Sequence, residues 1–387
     1  MNFNEKIRDL APSKSIVFMQ KAKALQKEDP GIISLAGGEP DFTTPKRIRD
    51  EVTRQLEAGY THYTIGQGLP ELRERIVRKL REENGAAYDP EGVIVTPGGK
   101  FAIYLAVRSL VNRGDEVMFP EPGWVSYPSI AEASNAVPVP VRLSGSDGFH
   151  LTKAALEEKV SDKTRLLIVN YPNNPTGRVL TRPEAEELRS FLIEHPDVLL
   201  LSDEIYERIL FDGAENVSPA SYPDLRDRVI TVNGFSKSVA MTGFRIGYLA
   251  TTPEIAKVMY KLFQHTMSCT SGFIMKAALV ALDCTEEIEE MRMEYEARRN
   301  AFIGALNEIP GVEAALPEGA FYAWVKFDIP GLDSEGAAAF LLKHARVVGV
   351  PGNAYGTDEP YVRFSFASSM EDLMESAKRV REAMEKR

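Results

Sequence analysis

The chain has 387 residues, 44% of them hydrophobic, which is enough to bury a large core and favours two domains over one. Its formal net charge of -10 argues against nucleic-acid and anionic-membrane partners, because both require a basic face. No apolar run has the length of a signal-peptide core or a bilayer span, so we expect a cytoplasmic protein. Cys269 and Cys284 have no His or Cys at ligand spacing. We therefore expect both to be reduced core thiols, and we expect no metal site.

From Thr43 to about Tyr260, segments of helical periodicity alternate with short apolar runs. This rhythm is typical of an α/β domain built on a mainly parallel sheet. Several runs lack polar alternation, as expected where helices cover both faces of a strand. The predicted strands are Gly92–Thr96, Glu116–Phe119, Arg165–Asn170, Val198–Ser202, Val229–Asn233 and Ile246–Ala250.

The rest of the chain predicts a second, smaller unit. One or two long helices over Phe273–Asn307 lead out of the α/β domain. Short strands at Ala320–Phe327 and Tyr361–Phe366 and a closing helix at Met370–Lys386 favour an α+β domain. The first 42 residues are too few for a domain and are expected to pack on this unit. The predicted division is an N-terminal segment at 1–42, a large α/β domain at 43–285 and a small α+β domain at 286–387.

Polar residues with chemical potential follow the predicted strands, where ligands of open α/β sheets bind. Asp203 comes directly after one strand and Tyr206 three residues later, although such a carboxylate alone is more often a helix or turn cap. Lys237 follows another strand in a glycine-rich, weakly polar stretch, although a lone lysine is normally a solvated charge. The string at 173–177, which precedes both of them in the chain, would by itself be an ordinary turn. Only their combination indicates an active site.

Together, these strings resemble the class I and II aminotransferases of fold type I, which use pyridoxal 5′-phosphate (PLP). The resemblance covers nearly the whole chain and is closest to the branch of prokaryotic aspartate and aromatic aminotransferases. It rests on eight strings in the family's order: AGGEPDF (36–42), YTIGQG (63–68), TPGGK (96–100), PGW (122–124), NNPTG (173–177), SDEIY (202–206), FSKSVAMTGFRIGY (235–248) and VRFSFA (362–367). It implies a large domain with a mainly parallel sheet plus a smaller α+β domain, and transfer of an amino group between an L-amino acid, such as aspartate or an aromatic one, and 2-oxoglutarate.

The resemblance implies that Lys237 holds PLP as a Schiff base. A lysine in a partly desolvated site suits this task because its amine is neutral part of the time, and it can later carry a proton between the substrate Cα and C4′ of the cofactor. The family pattern puts Asp203 opposite the pyridine nitrogen, whose charged form a buried carboxylate stabilises. It puts Tyr206 and Asn174 at the 3′-oxygen and Trp124 on the face of the ring.

The cofactor phosphate requires backbone N–H donors at a helix start and a fixed cation. Gly98, Gly99 and Lys100 stand at such a junction of strand and helix. Arg245, eight residues after the lysine, matches the family's phosphate arginine. These four residues are therefore the predicted phosphate site.

One position departs from the family pattern, since Gly234 stands where many relatives carry a serine three residues before the lysine. The phosphate contact of that serine is lost here or is replaced by Ser236. A further phosphate contact is implied from outside the chain. Tyr63 resembles the tyrosine that reaches the phosphate of the neighbouring subunit, so the resemblance implies a homodimer with a composite active site.

Substrate recognition begins with the α-carboxylate, which a guanidinium meets through two parallel hydrogen bonds. Arg363 matches the family's arginine for this task, with the backbone of Gly38 and the amide of Asn174 completing the site and Trp124 bordering it. Lys100 has two open interpretations. It adds to phosphate binding, or it extends into the pocket and pairs with the distal carboxylate of aspartate or glutamate.

Two other classes of function share parts of this pattern. A PLP-dependent β-eliminating or carbon–sulfur lyase, or a ring-closing synthase, uses the same scaffold, and the sequence excludes none of them. Release of ammonia and pyruvate, instead of amination of an added 2-oxo acid, discriminates the lyase. A regulator that uses this fold as an effector-binding module needs a basic DNA-binding extension, for which the chain has no room. The sequence therefore favours an aminotransferase.

Overall fold

The computed structural model describes residues 3–386. The outer ends of two predicted segments, Met1 with Asn2 and Arg387, lie outside the described residues. The strands are β1 (Ile33–Ser34), β2 (Val93–Thr96), β3 (Glu116–Glu121), β4 (Val137–Arg142), β5 (Thr164–Asn170), β6 (Leu199–Asp203), β7 (Val229–Gly234), β8 (Gly247–Ala250), β9 (Val312–Ala314), β10 (Tyr322–Phe327), β11 (Val347–Val348), β12 (Val350–Pro351) and β13 (Tyr361–Ser365). The α-helices are α1 (Glu5–Asp9), α2 (Lys14–Glu28), α3 (Lys46–Glu57), α4 (Pro70–Asn84), α5 (Gly99–Leu110), α6 (Ser126–Ala133), α7 (Lys153–Glu157), α8 (Arg182–Glu194), α9 (Pro253–Thr266), α10 (Gly272–Ala281), α11 (Thr285–Asn307), α12 (Ser334–Ala345) and α13 (Met370–Met384).

A seven-stranded sheet forms the centre of the fold, in the order β2-β8-β7-β6-β5-β3-β4. The strand β8 runs antiparallel to both of its neighbours, and the other neighbouring pairs are parallel. The predicted mainly parallel sheet is therefore confirmed. Its parallel strands β5, β6 and β7 bring their carboxyl ends to one edge, where the predicted site residues follow.

Both faces of this sheet are buried, which explains the apolar runs. In β5, Leu166 and Ile168 belong to one core cluster, and Leu167 and Val169 belong to another on the opposite face. The helices supply the other half of each cluster. One of them, α8, begins with a capping box in which Thr181 and Glu184 satisfy each other's backbone N–H groups.

The edge strand β4 was not among the predicted strands. It carries Pro138 and Pro140, which lack the N–H group that a strand donates. Within the sheet β4 pairs only with β3, and an edge strand with one free side tolerates proline. Because of its prolines, the sequence pattern did not predict β4, which can form because it lies at the edge of the sheet.

A second, antiparallel sheet has the order β12-β13-β10-β9. It shares a core cluster with α11, α12 and α13, to which Phe302, Leu341 and Leu373 belong. This is the smaller α+β unit that the sequence predicts. The predicted helical stretch at 273–307 forms two helices, α10 and α11. Near its start, α11 packs Ile288 in the core of the large sheet, and further along it packs in the cluster of the second sheet.

The N-terminal residues contact the smaller unit through a separate cluster that includes Ala22, Ile32, Trp324 and Val350. The strand β1 also pairs in parallel with β11. The boundaries at 42/43 and 285/286 stay predictions.

Both cysteines are free thiols, but only Cys284 is in the core, since Cys269 is partly exposed. The expectation of two core residues is therefore wrong for Cys269. Among residues 3–386, no helix combines the length and the apolar composition that crossing a bilayer requires.

Candidate active site

A cavity of about 400 Å³ lies at the carboxyl ends of β5, β6 and β7, where side chains of the second sheet and of α2 also border it. Most of the predicted site residues line it: Gly38, Gly99, Lys100, Trp124, Asn174, Asp203, Tyr206, Ser236, Lys237, Arg245 and Arg363. Residues that were not among the predicted site residues also line it, among them Met19, Glu39, Thr242 and Tyr322. Strings separated by more than 300 residues in the sequence thus meet in one place.

Lys237 stands three residues beyond the last residue of β7, with its amine in the cavity. Its Nζ donates a 2.6 Å hydrogen bond to the backbone oxygen of Gly38. Burial lowers the pKa of Lys237 to about 8, and the negative charge of Glu39 partly opposes this shift. A fraction of the amine is therefore neutral, and so nucleophilic, near neutral pH.

Asp203 is the last residue of β6 and is buried. The hydroxyl of Tyr127, in α6, donates a 2.8 Å hydrogen bond to its Oδ2. Burial raises the pKa of Asp203 to about 6, while the Tyr127 hydrogen bond lowers it. Asn170, at the end of the neighbouring β5, donates to the backbone oxygen of Asp203 at 2.9 Å. Hydrogen bonds thus fix both the side-chain carboxylate and the backbone carbonyl of Asp203.

Arg363, in β13, is buried and reaches the cavity from the second sheet. Its Nη1 donates to Asn174 Oδ1 at 3.1 Å, and its Nη2 donates to the backbone oxygens of Ala36 and Gly37 at 3.0 and 3.1 Å. Its buried Nε has no hydrogen-bond partner among the described residues. The guanidinium is therefore held in one plane with a donor still to be satisfied.

Tyr206 and Tyr322 contact each other beside this arginine. Their hydroxyl oxygens are 2.9 Å apart, and both side chains are buried. Burial raises the pKa of both hydroxyls, that of Tyr206 well above its usual range. Both phenols therefore act as neutral hydrogen-bonding groups.

The helix α5 begins at Gly99, next to Arg245. Gly98 has φ +86°, and a Cβ there would lie 2.7 Å from Arg245 Nη2, so only glycine lets the guanidinium pack on this turn. Arg245 Nη1 in turn donates to the backbone oxygen of Thr242 at 2.7 Å. A fixed cation and a helix N-terminus thus lie side by side, which is the arrangement that binds a phosphate.

Gly234 has a packing reason for being glycine. It pairs with Gly247 in the antiparallel β7–β8 ladder, and a Cβ on Gly234 would lie 2.9 Å from Gly247 Cα. No side chain fits there without moving β8. Ser236 lines the cavity, and its contact with the cofactor phosphate stays a prediction.

Lys100 is in the first turn of α5. Part of its side chain is exposed, and its Nζ is 4.9 Å from the centroid of the Trp124 ring. Burial of the amine, followed by the positive charge of Arg245, lowers the pKa of Lys100. The ammonium thus lies over the aromatic face instead of pointing away from the cavity.

Two predicted residues do not line the cavity. Gly98 contributes through its packing on Arg245, and Tyr63 is 89% exposed on the surface of the chain. The sequence reading missed Tyr127 and Tyr322. Tyr127 had a local signal, because it is three residues after Trp124 and so on the same side of a helical turn. Tyr322 had none, since its partners are more than 40 residues away.

The comparisons with known proteins agree with this geometry. The chain matches the family described as Aminotransferase class I and II over residues 30–380. It is 38% identical to an aspartate aminotransferase of Musicola paradisiaca over 98% of this chain and 96% of that protein. It is also 38% identical to aromatic-amino-acid aminotransferase 2 of Thermococcus litoralis, over 100% of this chain and 99% of that protein. The solved aspartate aminotransferase from Thermus thermophilus with maleate has a TM-score of 0.94 at 34% identity, covering 99% of this chain and 100% of that one.

Fold and comparisons together define an enzyme of the fold-type I class of PLP-dependent transferases. The chain belongs to the class I and II aminotransferases. It is therefore a transaminase that acts on small-molecule amino acids and 2-oxo acids.

Proposed function

We propose that this aminotransferase holds PLP as a Schiff base on Lys237 and exchanges the amino group of an acidic or aromatic L-amino acid with 2-oxoglutarate. The observation that carries the proposal is the cavity that Lys237 and Asp203 share, at the ends of the adjacent strands β7 and β6. There, an amine with a pKa of about 8 faces the same space as a buried carboxylate.

The residues present fit PLP. When bound, the cofactor supplies an aldehyde that joins an amine and a pyridine ring that withdraws electrons from the substrate Cα. Lys237 offers the amine, and Asp203 offers the buried negative charge that keeps the pyridine nitrogen protonated. A phosphate requires a cation and backbone N–H donors. Arg245, which packs on Gly98, offers the cation, and the N-terminus of α5 offers the donors.

Lys237 also performs the proton transfers. With PLP and substrate bound, the free Lys237 amine would accept the proton of the substrate Cα and deliver it to C4′ of the cofactor. Tyr206 and Asn174 would hold the 3′-oxygen of a bound cofactor, where a donated hydrogen bond would control how readily the Schiff base holds its proton. Trp124 covers the ring face.

Arg363 binds the α-carboxylate of the substrate. Hydrogen bonds to Asn174 and to the backbone of residues 36 and 37 already fix the guanidinium nitrogens Nη1 and Nη2. Its Nε lacks a partner among the described residues. This preorganisation lowers the ordering cost of a carboxylate that binds to the guanidinium. The backbone of Gly38 completes the site.

The choice of donor rests on Lys100 and on the relatives. The relatives at 38% identity include an aspartate and an aromatic-amino-acid aminotransferase, and the Thermus enzyme was solved with maleate, a dicarboxylate. Lys100, in the cavity wall beside Trp124, supplies a cation for a distal carboxylate. We therefore expect aspartate and glutamate to be good donors.

The enzyme acts as a homodimer in this proposal. Tyr63 is 89% exposed in this chain, so its side chain is free to enter the site of a second copy. There it contacts the cofactor phosphate, so each active site is built from two chains. The cytoplasmic location stays a prediction from composition.

A panel of amino donors tests the proposed reaction. The PLP-loaded protein is incubated with 2-oxoglutarate and L-aspartate, L-phenylalanine, L-alanine or L-cysteine, and the products are separated. Formation of glutamate with the matching 2-oxo acid supports the proposal. Ammonia and pyruvate from L-cysteine, without glutamate from any donor, would establish the lyase instead.

A further inference from the structure

Tyr322 contacts two functional groups at once. It is the first residue of β10, it is 1% exposed, and it lines the cavity. Its hydroxyl oxygen is 2.9 Å from that of Tyr206, and its ring centroid is 4.3 Å from Arg363 Cζ. Each contact involves a different part of the side chain, so the two contacts can be removed separately.

The hydroxyl contact controls Tyr206. Among the described residues, Tyr322 is the hydrogen-bond partner that the structure gives to the Tyr206 hydroxyl. A phenol that accepts a hydrogen bond becomes a better donor in its own right. Either hydroxyl can donate in this pair. When Tyr206 donates its own proton to the 3′-oxygen of a bound cofactor, its oxygen can accept from Tyr322, and Tyr206 then donates more strongly.

The ring contact controls Arg363. A guanidinium packed on an aromatic face cannot rotate out of its plane without losing the cation–π attraction, and this attraction is stronger in a desolvated site. The ring therefore fixes the orientation in which the arginine meets a carboxylate. Tyr355 also faces this guanidinium, at 5.2 Å, but its buried hydroxyl has no hydrogen-bond partner among the described residues.

We propose that Tyr322 is a positioning residue that orients the α-carboxylate site through its ring and the 3′-oxygen site through its hydroxyl, so that one side chain aligns substrate and cofactor. The proposal rests on the functions proposed for Tyr206 and Arg363. It adds a residue that stands outside both of their strings and has no local sequence signal.

The variant Tyr322→Phe removes only the hydroxyl. The visible absorbance of the lysine-bound cofactor, titrated with pH, is expected to show a midpoint several tenths of a pH unit higher, because the weakened Tyr206 donor lets the Schiff base hold its proton longer. We expect kcat to fall about 3- to 10-fold, the effect of one hydrogen bond, with KM changed by less than about twofold. The variant Tyr322→Leu removes the ring as well, so KM for the amino donor is expected to rise about 5- to 30-fold.

The variant Tyr355→Phe is the matched control, because it removes a hydroxyl from a second ring beside Arg363 without breaking a hydrogen bond. Its spectral midpoint is expected to equal that of the wild type. A wild-type midpoint in Tyr322→Phe, or a rise in KM as large as that of Tyr322→Leu, would overturn the proposal. If the leucine variant does not fold, the phenylalanine midpoint alone decides.

Failure of the proposed function has a different signature. Wild-type protein that binds no PLP, or an Arg363→Lys variant with unchanged KM, contradicts the functions of Lys237 and Arg363 themselves. If both of these behave as expected and Tyr322→Phe shows the wild-type midpoint, only the inference about Tyr322 is wrong.

Discussion

The hydroxyl of Tyr127 donates a 2.8 Å hydrogen bond to Oδ2 of Asp203 inside the protein, where both side chains are buried. Burial alone would raise the pKa of Asp203, and a donated hydrogen bond stabilises the ionised form. With the pKa at about 6, roughly nine-tenths of the carboxylate is ionised at pH 7. The negative charge that a pyridine nitrogen requires is thus present at neutral pH.

Removal of this charge is expected to slow catalysis severely. Asp203→Ala should lower kcat/KM on the order of 10³-fold or more, because the ring loses its protonated nitrogen and with it the withdrawal of electrons from Cα. Tyr127→Phe keeps the carboxylate and loses one hydrogen bond, so its loss should be about tenfold or less. Both variants are compared with wild type in steady-state kinetics and in PLP affinity. Near-normal turnover in Asp203→Ala with intact PLP binding would assign the carboxylate another task.

Lys237 is expected to make the capture of PLP dependent on pH. At a pKa of about 8, roughly a tenth of the amine is neutral at pH 7, whereas at the ordinary value of 10.5 it would be less than about a thousandth. The rate at which the apoprotein binds PLP covalently should therefore rise as the pH passes through about 8 and then level off. Borohydride should fix the cofactor to the wild type.

The matching substitution is Lys237→Ala, which should bind PLP reversibly, without fixation and without turnover. Lys257→Ala, which changes an exposed lysine in α9, is the control for the loss of one amine. Wild-type turnover in Lys237→Ala would end the assignment.

The strands and site residues that the sequence predicts correctly are those marked by a pattern of nearby residues. The apolar run that forms β5 has partners on both faces. Asp203 ends one strand that the pattern predicts, and Lys237 follows another. Tyr322 shows the limit. It meets Tyr206 across 116 positions in sequence, and nothing local in a strand distinguishes a residue that faces a cavity from one that faces a core.

Gly234 shows a second limit. The sequence showed that a family serine is absent, but the reason is the approach of β7 to β8, where a Cβ would lie 2.9 Å from Gly247 Cα. Such a clash depends on the spacing of two backbones, which a string of residues does not state. The edge strand β4 was missed for a related reason, because its two prolines are acceptable only at a sheet edge.

Glu39 is expected to keep the Lys237 amine more basic than its burial alone allows. Its carboxylate lines the cavity, accepts a 3.0 Å hydrogen bond from Thr242 Oγ1, and raises the pKa of Lys237 against the effect of desolvation. Glu39→Gln removes the negative charge, so the ammonium loses stabilisation and its pKa should fall further below 8. The midpoint of the PLP-capture profile should then move to lower pH.

Two controls separate charge from structure. Thr242→Val keeps the carboxylate and should leave the midpoint closer to wild type than Glu39→Gln does. Glu57→Gln changes the net charge equally at an exposed position at the end of α3 and should leave the midpoint in place. An unchanged or higher midpoint in Glu39→Gln would contradict this account.

Two inactive variants are expected to restore activity in a mixture if Tyr63 acts in the partner's site. In a mixed dimer of Tyr63→Ala and Lys237→Ala chains, one active site carries both defects and the other carries neither. Random assortment makes half of the dimers mixed, so about a quarter of wild-type activity should return after joint unfolding and refolding. Activity that stays at the mean of the two separate variants would show that Tyr63 serves its own chain or none.

Lys100 is the residue on which the choice of donor depends. Its ammonium lies over the Trp124 ring at 4.9 Å, and its pKa is lowered by burial and by the charge of Arg245, so it faces the cavity and not the solvent alone. A lysine in the first turn of a helix beside a phosphate can add to phosphate binding, in which case all donors depend on it alike. If it instead pairs with the distal carboxylate of aspartate or glutamate, only those donors depend on it.

The variant Lys100→Ser separates these two functions. Loss of a charge pair in a partly desolvated site costs about 2–3 kcal/mol, which corresponds to about 30- to 150-fold in kcat/KM. We expect this loss for L-aspartate and L-glutamate, with L-phenylalanine nearly unchanged and the Kd for PLP near its wild-type value. Lys100→Arg keeps a cation in place and should retain most of the preference for acidic donors. Equal losses for all three donors, together with weaker PLP binding, would assign Lys100 to the phosphate and leave the acidic preference without a residue to explain it.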